Sequence, residues 1–321
     1  MPRICLVLET EEESGSPNLI PLLQQAKEAT GVPDFLFCMD SGCIDYEQLW
    51  MTSSLRGVAM VDFEVKCGSG GYHSGQAGGI VPETFRVVRS LLDRLDNKHN
   101  GKPCAELDVE TPEWKDKEAE YLSKLKGMDL CTKFPLHDGV NYQIHEGGLK
   151  EMYLDNVWRA SLAITGIRGL PPIASAGNVV RPTTAMRASM RLSPITDPEA
   201  AIKILVDKLT KDVPYNAEVN ILRSHGGPGW CMREPEAWLL SAITKAGADF
   251  FDGKDTASYG EGGSIPFLKE LENLYPKTQI IALGVGGPES NAHAPNEMIH
   301  LGYTKRVTCA LSHIISSCAT Q

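Results

Sequence analysis

The chain has 321 residues, 42% of them hydrophobic, which is enough for a buried core and too much for a disordered polyampholyte. At roughly 100–200 residues per domain, this length suggests about two domains. The 31 Lys and Arg against 41 Asp and Glu leave a net charge of −10, which argues against a general nucleic-acid surface, and no apolar run approaches the roughly 18 residues of a membrane helix.

In chain order, residues 4–8 form the first apolar run, too short for a signal-peptide core. With residues 35–39 and 280–283 it reads as a buried strand of an α/β sheet, each run short and bounded by polar or glycine residues. Residues 58–66 alternate instead: Ala59, Val61, Phe63 and Val65 share one face while Asp62 and Glu64 take the other. That is a half-exposed strand of an antiparallel sheet. Pro82 opens a predicted helix on which Phe85, Val88, Leu92 and Leu95 recur at helical spacing. The stretch 100–156 is polar and irregular and reads as an insertion, with residues 115–120 a solvated helix face. A strand at 188–192 precedes a helix announced by Asp197-Pro198, with Ile202, Leu205, Val206 and Leu209 on one stripe, and a strand at 217–222 follows. The predicted fold is therefore an α/β domain, residues 1–56 and 224–321, interrupted by an α+β domain with an antiparallel sheet, residues 57–223. Nine cysteines form no CxxC pair, which excludes a zinc knuckle and points to reduced thiols in a cytoplasmic setting.

Functional groups of α/β sheets gather beyond the carboxyl ends of strands. After the first run comes Glu9-Thr10-Glu11-Glu12-Glu13-Ser14-Gly15-Ser16; after the second, Asp40-Ser41-Gly42; after the third, a glycine-rich loop that reaches His293. Taken singly, an acidic run is a solvated loop, an Asp after a strand is a turn residue and a lone His is a surface group. At equivalent ends of three strands, carboxylates and an imidazole can converge on one cation such as zinc.

The order of short motifs is more specific. Thr10-Glu11-Glu12-Glu13-Ser14-Gly15-Ser16, Asp40, Leu55-Arg56-Gly57, His73-Ser74-Gly75, Ala176-Gly177-Asn178, Arg191-Leu192, Glu261-Gly262-Gly263-Ser264-Ile265-Pro266 and Ala292-His293 follow one another. Together they resemble the zinc metallopeptidase and aminoacylase family of carnosinase, carboxypeptidase G and acetylornithine deacetylase (peptidase family M20). The resemblance implies a zinc-peptidase catalytic domain of mixed, mostly parallel sheet, with the middle domain as lid and dimerisation domain. It implies Glu12 as general base and Glu13, Asp40 and His293 as metal ligands, Asp40 on one ion and Glu13 with His293 on the other. Glu12 and Glu13, adjacent on an extended segment, would point apart, one toward the metal-bound water and one onto the metal. His73 matches a lid histidine that polarises the scissile carbonyl in the partner subunit's site. Arg191 and Asn178 match lid residues gripping a substrate carboxylate, and Gly263 and Ser264 a loop that contacts the same group. Their plainer readings are a surface loop for His73, a strand ion pair for Arg191 and a helix N-cap for Ser264.

The implied cofactor is zinc, two ions in the family's site, replaceable by manganese or cobalt. The implied substrate is a small peptide or an N-acyl amino acid cleaved beside a free carboxylate, and the implied assembly a homodimer through the lid or a heterodimer with a full-length paralogue. Neither nucleic acid nor membrane is expected as a partner. Two family ligands, a His in a His-x-Asp word and a bridging Asp, are expected upstream of the Glu pair, yet only eleven residues precede Glu12 and no His begins such a word. The expectation is a chain shortened at its N-terminus, one metal keeping only Asp40 and the other only Glu13 and His293, against about three protein ligands in ordinary catalytic zinc sites. An impaired dimerisation or interaction module and an N-acyl amino acid deacylase are the alternatives. Gly260 in place of Arg, and Arg181-Pro182 in place of Ile-Pro, are further departures from the family pattern.

Overall fold

The computed structural model describes residues 2–125, 128, 130–143 and 148–318, and of Thr132 the backbone only. Among these residues the strands are β1 (Phe35–Gly42), β2 (Trp50–Leu55), β3 (Gly57–Lys66), β4 (Tyr72–His73), β5 (Ser161–Arg168), β6 (Val179–Val180), β7 (Thr183–Leu192), β8 (Glu218–Gly227), β9 (Trp230–Cys231), β10 (Ala257–Glu261) and β11 (Gln279–Gly286). The α-helices are α1 (Leu19–Gln25), α2 (Lys27–Thr30), α3 (Ser74–Ala77), α4 (Thr84–Leu92), α5 (Glu113–Leu122), α6 (Leu130–Lys133), α7 (Leu149–Val157), α8 (Pro198–Thr210), α9 (Ala237–Phe250), α10 (Pro266–Leu274) and α11 (Leu301–Cys318). The chain divides into two units: unit 1 holds Met1–Leu55, Glu113–Pro135 and Trp230–Gln321, and unit 2 holds Arg56–Pro112 and Leu136–Gly229.

Unit 1 is built on a mixed sheet in the order β1-β11-β2-β10, with β9 pairing on β2. β1 runs parallel to β11 and β10 parallel to β2, while β11 and β2 are antiparallel. Leu19 and Leu23 of α1, Leu268 and Leu271 of α10, and Cys38, Leu55, Ile280 and Ala282 of the strands form one buried cluster. Both predicted runs are strands; β11 is buried at 280–283 as expected, but in β1 only Cys38 is buried and Met39 is exposed, because β1 lies at the edge of the sheet.

Residues 4–8 do not form the predicted strand. Among the described residues no strand precedes Phe35, and Ile4, Leu6 and Leu8 are 60%, 79% and 80% exposed. An apolar run becomes a strand only when a neighbouring strand takes up its N–H and C=O groups. Among the described residues none does, and the sheet ends at β1.

Unit 2 has an antiparallel sheet in the order β5-β7-β3-β8. β3 alternates as its sequence requires: Ala59, Val61, Phe63 and Val65 are buried against Val87, Val88 and Leu91 of α4 and Ala201, Ile202, Leu205 and Leu209 of α8. On the opposite face Asp62 receives two hydrogen bonds from the Arg187 guanidinium at 2.6 and 2.7 Å. α8 starts where Asp197-Pro198 predicts, the Asp197 carboxylate accepting from the Glu199 N–H at 2.9 Å. α4 starts at Thr84 under a Glu83 cap, so Pro82 lies outside it, and Leu95 is buried beyond its end.

The stretch 100–156 is more ordered than its composition suggests, carrying α5, α6 and α7; residues 126, 127, 129 and 144–147 of it lie outside the described set. Residues Glu113–Pro135 also join unit 1 and not the middle unit expected to contain them. Lys115 is not on a solvated face. It is fully buried, its Nζ 2.5 Å from Glu118 Oε1 and 3.1 Å from Ser53 Oγ of β2, while Ser258 Oγ of β10 donates to Glu118 Oε2 at 3.2 Å. The charge pattern of 115–120 looked solvated because its internal ion pair is invisible in composition.

Candidate active site

In unit 1 the ends of β1, β10 and β11 and the loops after residues 9 and 286 carry most of the candidate groups. Asp40 sits in a β-bulge. Cys38 pairs with Ala282 and Ser41 with Gly284, so Met39 and Asp40 together oppose Leu283. The next pairing, Gly42 with Gly286, skips a residue on the other strand and restores the count. A bulge bends its strand and re-aims the side chains within it. The backbones here approach closely enough that a Cβ on Gly284 would collide with the Ser41 carbonyl oxygen, and one on Gly42 with the Gly286 carbonyl oxygen.

Glu12 and Glu13 open a short 3-10 turn, Glu12–Ser14, closed by Gly15 at φ +86°. The sequence suggested an extended segment there. In a turn of about three residues per revolution, adjacent side chains diverge by about 120°, so the two carboxylates still point apart. Glu13 Oε2 lies 3.3 Å from His293 Nδ1, both side chains largely exposed. His293 has φ +61°, between Asn291 and Asn296, which also have positive φ, in the loop after β11.

The electrostatics tie these groups together. Partial burial of Glu12, followed by the charges of Asp40, Glu13 and Glu9, pushes its carboxyl above the usual range, with His293 pulling the other way. Asp40 is exposed at its strand end, yet desolvation by its surroundings, followed by the charges of Glu13, Glu261 and Glu9, raises its carboxyl too, again opposed by His293. Such a crowd of like charges is stabilised by a cation.

Glu9 and Glu261 belong to this group, and sequence reasoning assigned neither a role. Glu9 Oε1 accepts from the Glu11 N–H at 2.9 Å, and Glu9 Oε2 is buried without a hydrogen-bond partner among the described residues. Glu261, the last residue of β10, takes three donors on Oε1: Tyr259 OH at 2.7 Å, Thr52 Oγ1 at 3.2 Å and the Gly42 N–H at 3.3 Å. Glu261 stood in the Glu-Gly-Gly-Ser motif, which was read for its glycine and serine only.

Gly263 is exposed and Ser264 half-buried in the loop between β10 and α10. α10 begins after Ile265, which occupies its cap position, one residue beyond Ser264. His73, Asn178 and Arg191 lie in unit 2. His73 and Asn178 are neighbours on the β4–β6 ribbon, where Tyr72 pairs with Val180 and the Ser74 N–H donates to the Asn178 carbonyl at 2.9 Å. His73 is exposed, and its Nδ1 accepts from the Gly75 N–H at 3.2 Å. Arg191 is half-buried on β7, opposite Val58 and Ser161. The same strand end holds Arg56, whose guanidinium donates to Asp155 O, Arg159 O and Ser161 Oγ; burial, then Arg191, lowers its pKa to about 10.

The donors suit a divalent cation in kind. Two ligand atoms each about 2.0–2.1 Å from a tetrahedral zinc stand about 3.3 Å apart, the separation of Glu13 Oε2 and His293 Nδ1. The orphaned Glu9 oxygen beside the same carboxylates fits a neighbouring positive charge as well. In number the set is short: among the described residues no group of three or more His, Cys, Asp or Glu side chains is close enough to hold a metal ion. Asp40 feels the charge of Glu13 and is felt by Glu12, but does not complete one cluster with Glu13 and His293.

No family model matches the chain. Among curated proteins it is similar to the cysteinylglycine-S-conjugate dipeptidase of Corynebacterium striatum, 24% identical over 296 residues, covering 92% of this chain and 62% of the relative. It is also similar to the beta-Ala-His dipeptidase of Homo sapiens, 25% identical over 311 residues, covering 92% and 58%. The chain thus spans about three fifths of the length of the curated relatives it matches. Among solved structures, human carnosine dipeptidase 1 shares the fold with a TM-score of 0.71 at 21% identity, over 97% of this chain and 64% of that one. An M20 family metallo-carboxypeptidase from Sulfolobus solfataricus shares it with a TM-score of 0.69 at 17% identity, over 95% and 68%.

Proposed function

We propose that this chain, similar to dipeptidases and to an M20 family metallo-carboxypeptidase, is a metal-dependent dipeptidase or carboxypeptidase-type hydrolase. The substrate would be a short peptide cleaved beside a free carboxylate. The observation that carries this reading is the 3.3 Å approach of Glu13 and His293 with Glu12 and Asp40 in electrostatic reach.

Glu13 and His293 would hold one divalent cation, and Asp40 would serve a second or a shared position. When bound, such a cation lowers the pKa of water and polarises a carbonyl oxygen. Glu12, whose carboxyl is raised, would take a proton from the attacking water and pass it to the leaving amine. Gly263 and Ser264 would contact the substrate carboxylate. For His73, Asn178 and Arg191, substrate contact is a proposal that rests on the family motifs, and a guanidinium fork suits a carboxylate bidentately.

The test combines metal content with turnover. The purified protein should retain divalent metal after dialysis and hydrolyse a dipeptide panel, and Glu12→Gln should abolish turnover while leaving the metal in place. Less than one equivalent of metal together with no turnover refutes the reading, and favours an interaction module that has kept the fold without the chemistry.

A further inference from the structure

The Asp40 bulge is held by more than its own strand pairing. Ser41 and Gly42, the two residues after Asp40, are clamped from the β10 side of the sheet. The Gly42 N–H points to Glu261 Oε1 at 3.3 Å, and the Thr52 hydroxyl of β2 stands 3.2 Å from the same oxygen and 2.7 Å from Ser41 Oγ. Tyr259 OH, at 2.7 Å, fixes that oxygen in turn. Thr52 is fully buried, and a Cβ on Gly42 would stand 3.2 Å from Tyr259 OH, so there is no slack for the turn to shift sideways. Glu261 and Gly42 are separated by 219 residues, yet one carboxylate oxygen links three strands, β1, β2 and β10.

We propose that Glu261 is a positioning residue for Asp40: it locks the β1 bulge so that the Asp40 carboxylate stays near the strand end, within electrostatic reach of Glu12 and Glu13. Three donors on one oxygen hold the Glu261 carboxylate, and the carboxylate holds the Ser41–Gly42 backbone. Its charge also adds to the field at Asp40. Partners one shell removed from a metal ligand typically govern about 10–100-fold of metal affinity. The inference rests on the metal-site reading above, and its test separates the two.

Amide exchange at Gly42, resolved by nuclear magnetic resonance in the metal-free protein, reads the clamp directly. Glu261→Ala should speed Gly42 exchange about tenfold or more while amides of Phe37 and Ile281, deeper in the same strand pair, keep their protection. Glu261→Gln keeps an acceptor oxygen and should restore most of the protection. Calorimetric titration with Mn²⁺, which favours oxygen donors over the nine thiols, should show about 10–100-fold weaker binding for Glu261→Ala and a smaller loss for Glu261→Gln. If Glu261→Ala does not fold, Tyr259→Phe, which removes the shortest of the three donors, carries the same two measurements. Unchanged Gly42 exchange overturns the clamp. Faster exchange with unchanged Mn²⁺ affinity overturns its role in placing Asp40. Absence of Mn²⁺ binding in the parent protein refutes the metal-site reading, and the exchange experiment still decides the clamp.

Discussion

Lys115 offers the sharpest test of how unit 1 is held together. Its ammonium is fully buried, with Glu118 at 2.5 Å and Ser53 at 3.1 Å, and the Glu118 side chain is 7% exposed. Burial drives the Lys115 pKa down, and Glu118 pulls it back. Lys115→Met preserves most of the volume but leaves a buried carboxylate without its lysine. Removing one partner of a buried pair costs about 3–5 kcal/mol, roughly two to four powers of ten in the folding equilibrium. Replacing both partners, Lys115→Met with Glu118→Leu, removes the charge problem and should recover most of that loss, because apolar substitutes for a buried pair are often neutral or stabilising. Urea unfolding followed by tryptophan fluorescence suits the measurement, since Trp50, Trp114, Trp230 and Trp238 lie in unit 1 and only Trp158 in unit 2. A Lys115→Met loss below about 1 kcal/mol, or a double variant as unstable as the single one, would refute the claim that this pair is desolvated.

Three further outcomes can be measured. Asp197→Ala should cost about 0.5–2 kcal/mol by removing the α8 cap, with Asp197→Asn near the parent in the same urea experiment. The Arg187 hydrogen bonds hold the Asp62 carboxyl below its ordinary 3.8, so the stability they confer is present above that pH and fades as acid titrates the folded form. Parent and Asp62→Asn unfolding midpoints should therefore differ near neutrality and converge in strong acid. Gly284→Ala should disrupt the β1–β11 end, because its methyl meets the Ser41 carbonyl; loss of soluble protein, or loss of Gly42 amide protection, reports it.

The elements with one dominant signal were legible in the amino-acid order. Residues 57–66 form the alternating strand because period-two patterning and burial agree there, and Asp197-Pro198 marks a helix start because cap and proline act within one turn. Residues 4–8 have the composition of β1 but lack a partner strand among the described residues, and composition cannot reveal a missing neighbour. Lys115 looked solvated because Ser53, which accepts from its ammonium, lies 62 positions away, and Ser258, which bonds its partner Glu118, lies farther still. The candidate site divides in the same way. Asp40 stands near the end of β1 and His293 in the loop after β11, as the strand-end argument expects, whereas Glu12 and Glu13 lie in a 3-10 turn that no strand precedes among the described residues. Glu261 was missed because its meaning comes from Gly42 and Thr52, more than 200 residues distant, and because the bulge that re-aims Asp40 leaves no periodic trace.

The exposed run at 4–8 also matters for handling the protein. In the same unit, β1 presents an outer edge that carries no strand among the described residues, with Met39 47% exposed. Greasy side chains standing in water next to open backbone groups form a template that other polypeptides can extend. Dilution, lysine substitutions at Leu6 and Leu8, or a short capping peptide should each keep preparations clear where concentrated stocks turn cloudy.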